Sequence, residues 1–358
     1  MRFVSGGITA VLLGLAVQGV AAPMASAADS PAVAEARKLQ LPNVTKDIND
    51  WSCRAEAGKE PVVMVHGTFG LTSYSDEDPI DRWGRMAEPL KKDGHCVYAL
   101  QYGVGLLDTP GVTEIEKSAA QLKTFVDGVK ESSGASKVKL VSHSQGGLVS
   151  RYYLKDLGGT DSANALIGLG TPNRGTEYFA AKVGALVYPA VKQMLPDSDF
   201  LKKLNSGGDL RPGVAYTMIA TEADETVTPY TSAHLQGPAS QLTNVTLGGK
   251  NPPSHDYLPN SAEAIAWVRE AVRSDGPASP SFRPGQDTPD GTPSATPSAT
   301  PSGTPSAAPG EGSGGSGGGD TIDAPLAEPT VLAAAVSVVL LAGAAFARLG
   351  NRRSRSGR

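Results

Sequence analysis

The segment that most limits the fold of this 358-residue chain is His143-Ser144-Gln145-Gly146-Gly147, which follows an apolar run and precedes a stretch of helical period. A strand that turns sharply into a helix lifts a serine hydroxyl above the edge of a sheet, and the turn requires small residues around the serine. Gly146 and Gly147 meet that requirement, and Ser142, where glycine is usual, is also small. The sequence therefore predicts Ser144 as a nucleophile on a strand–turn–helix unit.

Apolar runs rich in β-branched residues alternate with segments of helical period along the chain. Strands are predicted at residues 61–65, 96–100, 138–141, 165–169 and 216–220, and helices at 80–92, 114–130, 147–157 and 262–272. This alternation is typical of a parallel sheet covered by helices on both faces. We therefore expect an α/β fold with a mostly parallel central sheet and helices on both faces.

The two ends of the chain have the composition of export and anchoring segments. Arg2, an apolar stretch and Ala25-Ser26-Ala27 predict a signal peptide over residues 1–27. Residues 331–347 are apolar and uncharged, and the arginine-rich residues 348–358 follow them. This pattern predicts a transmembrane helix with a cytoplasmic tail. The alternative, a buried C-terminal core helix, would have no adjoining folded sequence.

A segment of Ser, Thr, Pro and Gly repeats occupies residues 276–325. It has too few apolar side chains to offset the entropy of ordering, so we expect a disordered stalk. The catalytic domain would then be residues 28–275, held outside the cell and anchored to its surface.

Cys53 and Cys96 are the two cysteines of the chain. In an exported protein they are expected to form a disulfide, with buried free thiols as the alternative. The formal net charge is −4, and no basic patch with interleaved aromatic residues occurs in the predicted domain. Nucleic acid is therefore not expected as a partner, and we expect a monomer.

A serine nucleophile needs a histidine to take its proton and a carboxylate to orient that histidine, and in this fold they follow in the order Ser, Asp, His. Asp224 follows the predicted strand 216–220 and is the preferred carboxylate, with Glu222 and Glu225 as alternatives. Residues 178–210, before that strand, are the least regular part of the domain. They are either a lid or an ordinary pair of surface helices.

The catalytic base must follow the serine in the chain. Of the five histidines, only His234 and His255 do so. His255 lies in a loop before the last predicted helix, which is where the catalytic histidine of this fold is expected. His234 is the alternative.

Two backbone donors are needed for the negative charge that develops on a substrate carbonyl oxygen. The N–H of Gln145 is one, and Thr68, in the glycine-containing loop after the first predicted strand, is the expected second. No H-E-x-x-H pattern or cluster of His and Asp ligands occurs in the sequence, so no metal is expected.

Four segments together resemble the α/β-hydrolase superfamily and, within it, the secreted bacterial class 2 triacylglycerol lipases. They are residues 61–70, 142–147, 151–155 and 170–176, within a likeness that covers roughly residues 53–272. The resemblance implies a triad of Ser144, Asp224 and His255, an oxyanion hole of Thr68 and Gln145, and ester hydrolysis without a cofactor. Ser142 and the anchored stalk depart from the family pattern.

The sequence thus predicts an extracellular serine ester hydrolase that cleaves carboxylic esters of lipids through an acyl-serine intermediate. A short-chain esterase or an acyltransferase with the same triad is the first alternative. A surface adhesion module on an inactive hydrolase scaffold is the second, although every catalytic position holds a competent residue.

Overall fold

The computed structural model of the protein describes residues 30–42, 44, 47–70 and 83–285. The predicted signal peptide, the transmembrane helix, the basic tail and the stalk from residue 286 onward lie outside these residues. Within the described ranges, no helix is both long and apolar enough to cross a membrane.

The described chain is built around one six-stranded sheet in the order β2-β1-β3-β4-β5-β6, and all neighbouring strands are parallel. The strands are β1 (Val62–Val65), β2 (Val97–Leu100), β3 (Val138–His143), β4 (Ala163–Leu169), β5 (Ala215–Thr221) and β6 (Leu242–Leu247). The first five confirm the predicted strands to within a few residues. Strand β6 has no counterpart among the predicted strands, and its Asn244 and Thr246 are exposed between buried residues.

Helices cover the sheet, which confirms the expected fold class. They are α1 (Pro31–Lys38), α2 (Gly84–Lys92), α3 (Ile115–Ser133), α4 (Gln145–Asp156), α5 (Phe179–Gly184), α6 (Pro189–Gln193), α7 (Asp199–Asn205) and α8 (Ala262–Arg273). Helix α1 has no counterpart among the predicted helices.

Alternate residues of the sheet belong to two separate apolar cores. Val63 and Val65 of β1 belong to one core with α1, α3 and α4. Val62 and Met64 belong to the other with α2 and α8. Because successive side chains of a strand point to opposite faces, a strand buried on both faces is apolar throughout. This is why the continuous apolar runs marked the central strands.

Residues 178–210, for which a lid and a pair of surface helices were the two alternatives, contain three short helices, α5 to α7. The first of them follows β4 and the last precedes β5. Phe200 of α7 stacks on Tyr152 of α4 at a centroid distance of 6.0 Å. The end of this segment is therefore packed on the helix that follows Ser144.

The Cys53–Cys96 disulfide is present, with the two Cα atoms 5.9 Å apart. It joins the segment before β1 to the start of β2, as expected. The same N-terminal segment covers the outer edge of β2, where the Leu41 N–H donates to the Ala99 carbonyl at 2.8 Å. An exposed strand edge would otherwise offer unpaired backbone groups to other chains.

The predicted start of the stalk at residue 276 is too early. The Ala278 N–H donates to Thr217 Oγ1 at 3.0 Å, and the Ala278 carbonyl accepts from Thr243 Oγ1 at 2.7 Å. Phe282 is buried, and its ring meets Trp267 edge to face at 4.9 Å. The packed domain therefore extends at least to Phe282, although its last residues have a stalk-like composition.

We expect Phe282→Ala to lower the free energy of unfolding by about 3 kcal/mol, because it removes a buried ring from the second core. Urea denaturation of the variant and the wild type measures the change. Ser281→Ala, at an exposed neighbouring position, is the matched control. Equal midpoints for the two variants would return the domain boundary to residue 276.

Candidate active site

Ser144 stands at the turn between β3 and α4, with φ 53° and ψ −127°. Positive φ is sterically costly for a residue with a β-carbon, and such outliers persist only where the surroundings enforce them. Here the Ser144 N–H donates to the Leu169 carbonyl at the end of β4, at 2.8 Å. The turn is therefore the strained elbow that the sequence predicted, with the serine at the carboxyl edge of the sheet.

Gly146 and Gly147 allow the first turn of α4 to lie against two neighbouring loops. A β-carbon on Gly146 would lie 2.6 Å from the His66 carbonyl oxygen, and one on Gly147 would overlap the Thr171 side chain. Real β-carbons do not approach backbone oxygens this closely. Both glycines are thus required for packing, beyond the smallness that the turn itself demands.

Ser142, which departs from the usual glycine, has a buried hydrogen-bond partner. Its Oγ lies 2.8 Å from Oγ of Ser150, one residue of α4, and both residues are fully buried. A buried hydroxyl without a partner destabilises a protein, whereas a bonded one does not. Ser150 therefore explains how this elbow accommodates Ser142.

Asp224 and His255 are in contact. His255 Nδ1 donates to Asp224 Oδ2 at 2.8 Å, and both side chains are buried. Asp224 Oδ1 accepts from the N–H groups of Thr226 at 3.0 Å and Val227 at 2.6 Å. The carboxylate is thus fixed by the loop after β5, and it fixes the imidazole with the proton on Nδ1. Nε2 is then left as the basic nitrogen.

The alternative carboxylates and the alternative histidine do not share this arrangement. Glu222 and Glu225 are exposed, and Glu225 accepts only from the His255 backbone N–H, at 3.4 Å. His234 Nε2 pairs with Thr246 Oγ1 of β6 at 3.1 Å. Burial lowers the pKa of His234. The geometry favours Asp224 and His255.

Burial also raises the pKa of Asp256, the neighbour of His255. Asp256 is partly buried, and its carboxyl group is therefore protonated more readily than an exposed one.

Thr68 and Gln145 are brought together at the amino end of α4. Thr68 Oγ1 donates to Gln145 Oε1 at 2.7 Å, and Gln145 is fully buried. The N–H of Gln145 is the first of the helix and so has no partner within it, which makes a helix start suited to hold negative charge. Phe69, next to Thr68, has φ 64° and turns the loop.

Tyr102 supports this loop, although no sequence pattern marks this residue. Its hydroxyl donates to the His66 carbonyl at 2.6 Å, and its ring stacks on the His66 ring at 4.1 Å. Burial raises the pKa of Tyr102 well above its usual range, so the phenol stays a neutral donor. The contact spans 36 residues of sequence, and it fixes the backbone just before Thr68.

Within the described ranges, no group of three or more His, Cys, Asp or Glu side chains is arranged to hold a metal ion. The site described above consists of Ser144, Asp224 and His255 at the carboxyl edge of the sheet, with Thr68 and Gln145 beside them.

Known proteins resemble this chain over part of its length. Residues 59–246, just over half of the chain, match the family model for class 2 lipases. A triacylglycerol lipase of Pseudarthrobacter phenanthrenivorans is 32% identical over 122 residues, which is 34% of this chain and 36% of that protein. A triacylglycerol lipase of Burkholderia plantarii is also 32% identical over 122 residues, 34% of this chain and 32% of that protein. The chain thus matches about a third of the length of these relatives.

The crystal structure of Aspergillus fumigatus lipase B is similar in fold. Its TM-score is 0.54 at 23% identity, over 66% of this chain and 57% of that one. At this identity the likeness supports the fold alone.

We expect Ser150→Ala to lower the free energy of unfolding by about 1–3 kcal/mol, because it leaves the Ser142 hydroxyl buried without a partner. Thermal or urea denaturation measures the change. The double variant Ser142→Ala/Ser150→Ala removes both polar groups and should unfold closer to the wild type than Ser150→Ala does. A double variant less stable than Ser150→Ala would contradict this account of the elbow.

Proposed function

The chain belongs to the class 2 lipase family, and from this we propose that it hydrolyses carboxylic esters of lipids through an acyl-serine intermediate. The observation that carries the proposal is the buried pair of Asp224 and His255, at the same edge of the sheet as the strained Ser144. A serine hydroxyl is a weak nucleophile until a base takes its proton. This site supplies a base with a fixed tautomer.

The reaction proceeds in two halves with the same residues. Ser144 Oγ attacks the ester carbonyl carbon as its proton passes to His255 Nε2, and Asp224 stabilises the resulting imidazolium. The tetrahedral intermediate then collapses, and the alcohol leaves with the proton from His255. Water, deprotonated by His255, attacks the acyl-Ser144 ester, and the carboxylic acid is released as Ser144 regains its proton.

The oxyanion of each tetrahedral intermediate is held by the backbone N–H groups of Gln145 and Thr68. The Thr68–Gln145 side-chain bond fixes these two residues relative to each other before substrate arrives. Donors that are already in place stabilise the developing charge without reorganisation, which is the main source of their catalytic effect.

Lipid esters are favoured as substrates by where the exposed apolar side chains lie. The large apolar residues that are most exposed within the described ranges are Val104, Leu106, Leu107, Tyr178, Leu186 and Tyr257. All six are on segments that follow the carboxyl end of β2, β4 or β6, and Ser144 follows the carboxyl end of β3. Exposed apolar side chains on these segments support a surface that binds a lipid aggregate.

We also propose that the domain acts outside the cell. The Cys53–Cys96 disulfide supports this location, because disulfides persist in oxidising compartments. The sequence of residues 1–27 supports export, and residues 331–347 support an anchor at the cell surface.

We expect Ser144→Ala to reduce hydrolysis of p-nitrophenyl esters by roughly 10⁶-fold, because Ser144 is the nucleophile of the proposed reaction. The assay covers acyl chains from short to long, with Ser281→Ala as the control serine variant. A fluorophosphonate probe should label the wild type and not Ser144→Ala. Turnover confined to short chains would favour an esterase or an acyltransferase. A folded wild type with neither turnover nor labelling would contradict the hydrolase proposal.

The double variant Leu106→Ser/Leu107→Ser tests the lipid surface. These side chains are 57% and 51% exposed, so their loss costs little stability. Each should contribute about 1 kcal/mol to contact with an apolar surface. We expect at least tenfold lower turnover of an emulsified long-chain triglyceride, with turnover of soluble p-nitrophenyl acetate unchanged. An equal decrease on both substrates would mean that the loop shapes the site and does not bind the lipid surface.

A further inference from the structure

A buried hydrogen bond joins the residue before the nucleophile to the backbone of the base. His143 Nε2 lies 3.0 Å from the carbonyl oxygen of His255, and both residues are buried. Their rings are 4.8 Å apart and inclined at 40°. The two residues are 112 positions apart in sequence, so this contact ties two distant parts of the chain.

The chemistry of the acceptor fixes the direction of this bond. A backbone carbonyl oxygen only accepts hydrogen bonds, so His143 Nε2 must carry the proton. The same carbonyl accepts at 3.3 Å from the Leu258 N–H, which also donates to the Ser254 carbonyl at 3.1 Å. The His255 carbonyl is therefore bonded both to β3, through His143, and to its own turn, through the Leu258 N–H.

The bond matters because of what each partner is attached to. His143 is the last residue of β3 and is covalently joined to Ser144. His255 lies in a loop, where its imidazole is held by Asp224 at Nδ1. Gly170 packs against the same ring, since a β-carbon there would lie 2.9 Å from His255 Nδ1. Asp224 thus holds the imidazole, and the His143 bond joins the His255 backbone to the end of β3.

We propose that His143 is a positioning residue that holds the His255 backbone at a fixed distance from Ser144. The inference rests on the proposed function, because it assigns to His143 a role toward the base of that reaction. Displacement of a catalytic group by about 1 Å can cost on the order of 10²-fold in rate. If His143 only filled space, its replacement would lower stability, and the effect on rate would not depend on a donor at the position of Nε2.

The position of the donor atom provides the test. In His143→Gln the amide nitrogen reaches about as far as histidine Nε2, so the bond to the His255 carbonyl can form. In His143→Asn the amide nitrogen stops near the position of Nδ1, and in His143→Leu there is no donor. His234→Leu, which removes a histidine bonded to Thr246 of β6, is the control for histidine loss.

We expect His143→Asn and His143→Leu to lower kcat by about 10- to 100-fold, with KM within about twofold of the wild type. His143→Gln should recover most of this loss. The rate of fluorophosphonate labelling of Ser144 should follow kcat, and His234→Leu should match the wild type. The low-field proton resonance of His255 Nδ1–H should persist in every folded variant, because the bond to Asp224 remains. Melting temperature measures folding separately.

Equal kcat values for the Gln, Asn and Leu variants would overturn the inference, because they would show that the donor position is irrelevant. A decrease confined to melting temperature, or one that appears in KM and not in kcat, would overturn it as well. If His143→Leu does not fold, the comparison of Gln with Asn still decides the question. A folded wild type without turnover or labelling is a different outcome, which removes the proposed function itself.

Discussion

The site depends on the backbone conformation of Ser144, which the rest of the domain holds in place. A non-glycine residue at φ 53° and ψ −127° costs on the order of 1–3 kcal/mol. The conformation persists because the Ser144 N–H is bonded to the end of β4 and because α4 begins at the very next residue. Gly146 lets that helix contact the loop after β1. The elbow is therefore set by strands on both sides of β3, and this rigid turn is the reference against which the other groups are positioned.

Several polar groups around the elbow are buried or half-buried and are held by specific partners. Ser142 pairs with Ser150, Thr68 with Gln145, and Asp224 with two backbone N–H groups as well as His255. Hydrogen bonds in a low-dielectric interior are stronger than in water, and a group that loses its partner there is costly. The same bonds that keep the domain stable thus fix the geometry on which the proposed chemistry depends.

The parts of the fold that can be predicted from the sequence are those with a local sequence pattern. The strands buried on both faces, such as β1, appear as continuous apolar runs. The chain order of serine, carboxylate and histidine made Asp224 and His255 the preferred partners of the serine. The edge strand β6 alternates buried and exposed residues and has no such run. Helix α1 packs through small residues, with Ala36 against Gly128, so it lacks the large apolar stripe that marks a helix. Contacts between distant residues, such as Tyr102 with His66, have no local pattern at all.

The nucleophile and the base are held in different ways. Ser144 is attached to a central strand, whereas His255 lies in a loop after the edge strand β6. Loops open locally at lower free energy than the core of a sheet does. The loop is nevertheless bonded to the sheet at two points besides Asp224: Thr221 Oγ1 at the end of β5 donates to the Pro253 carbonyl at 2.6 Å, and His143 donates to the carbonyl of His255. These bonds come from β5, which carries the carboxylate, and β3, which carries the nucleophile. The same two strands therefore position the base.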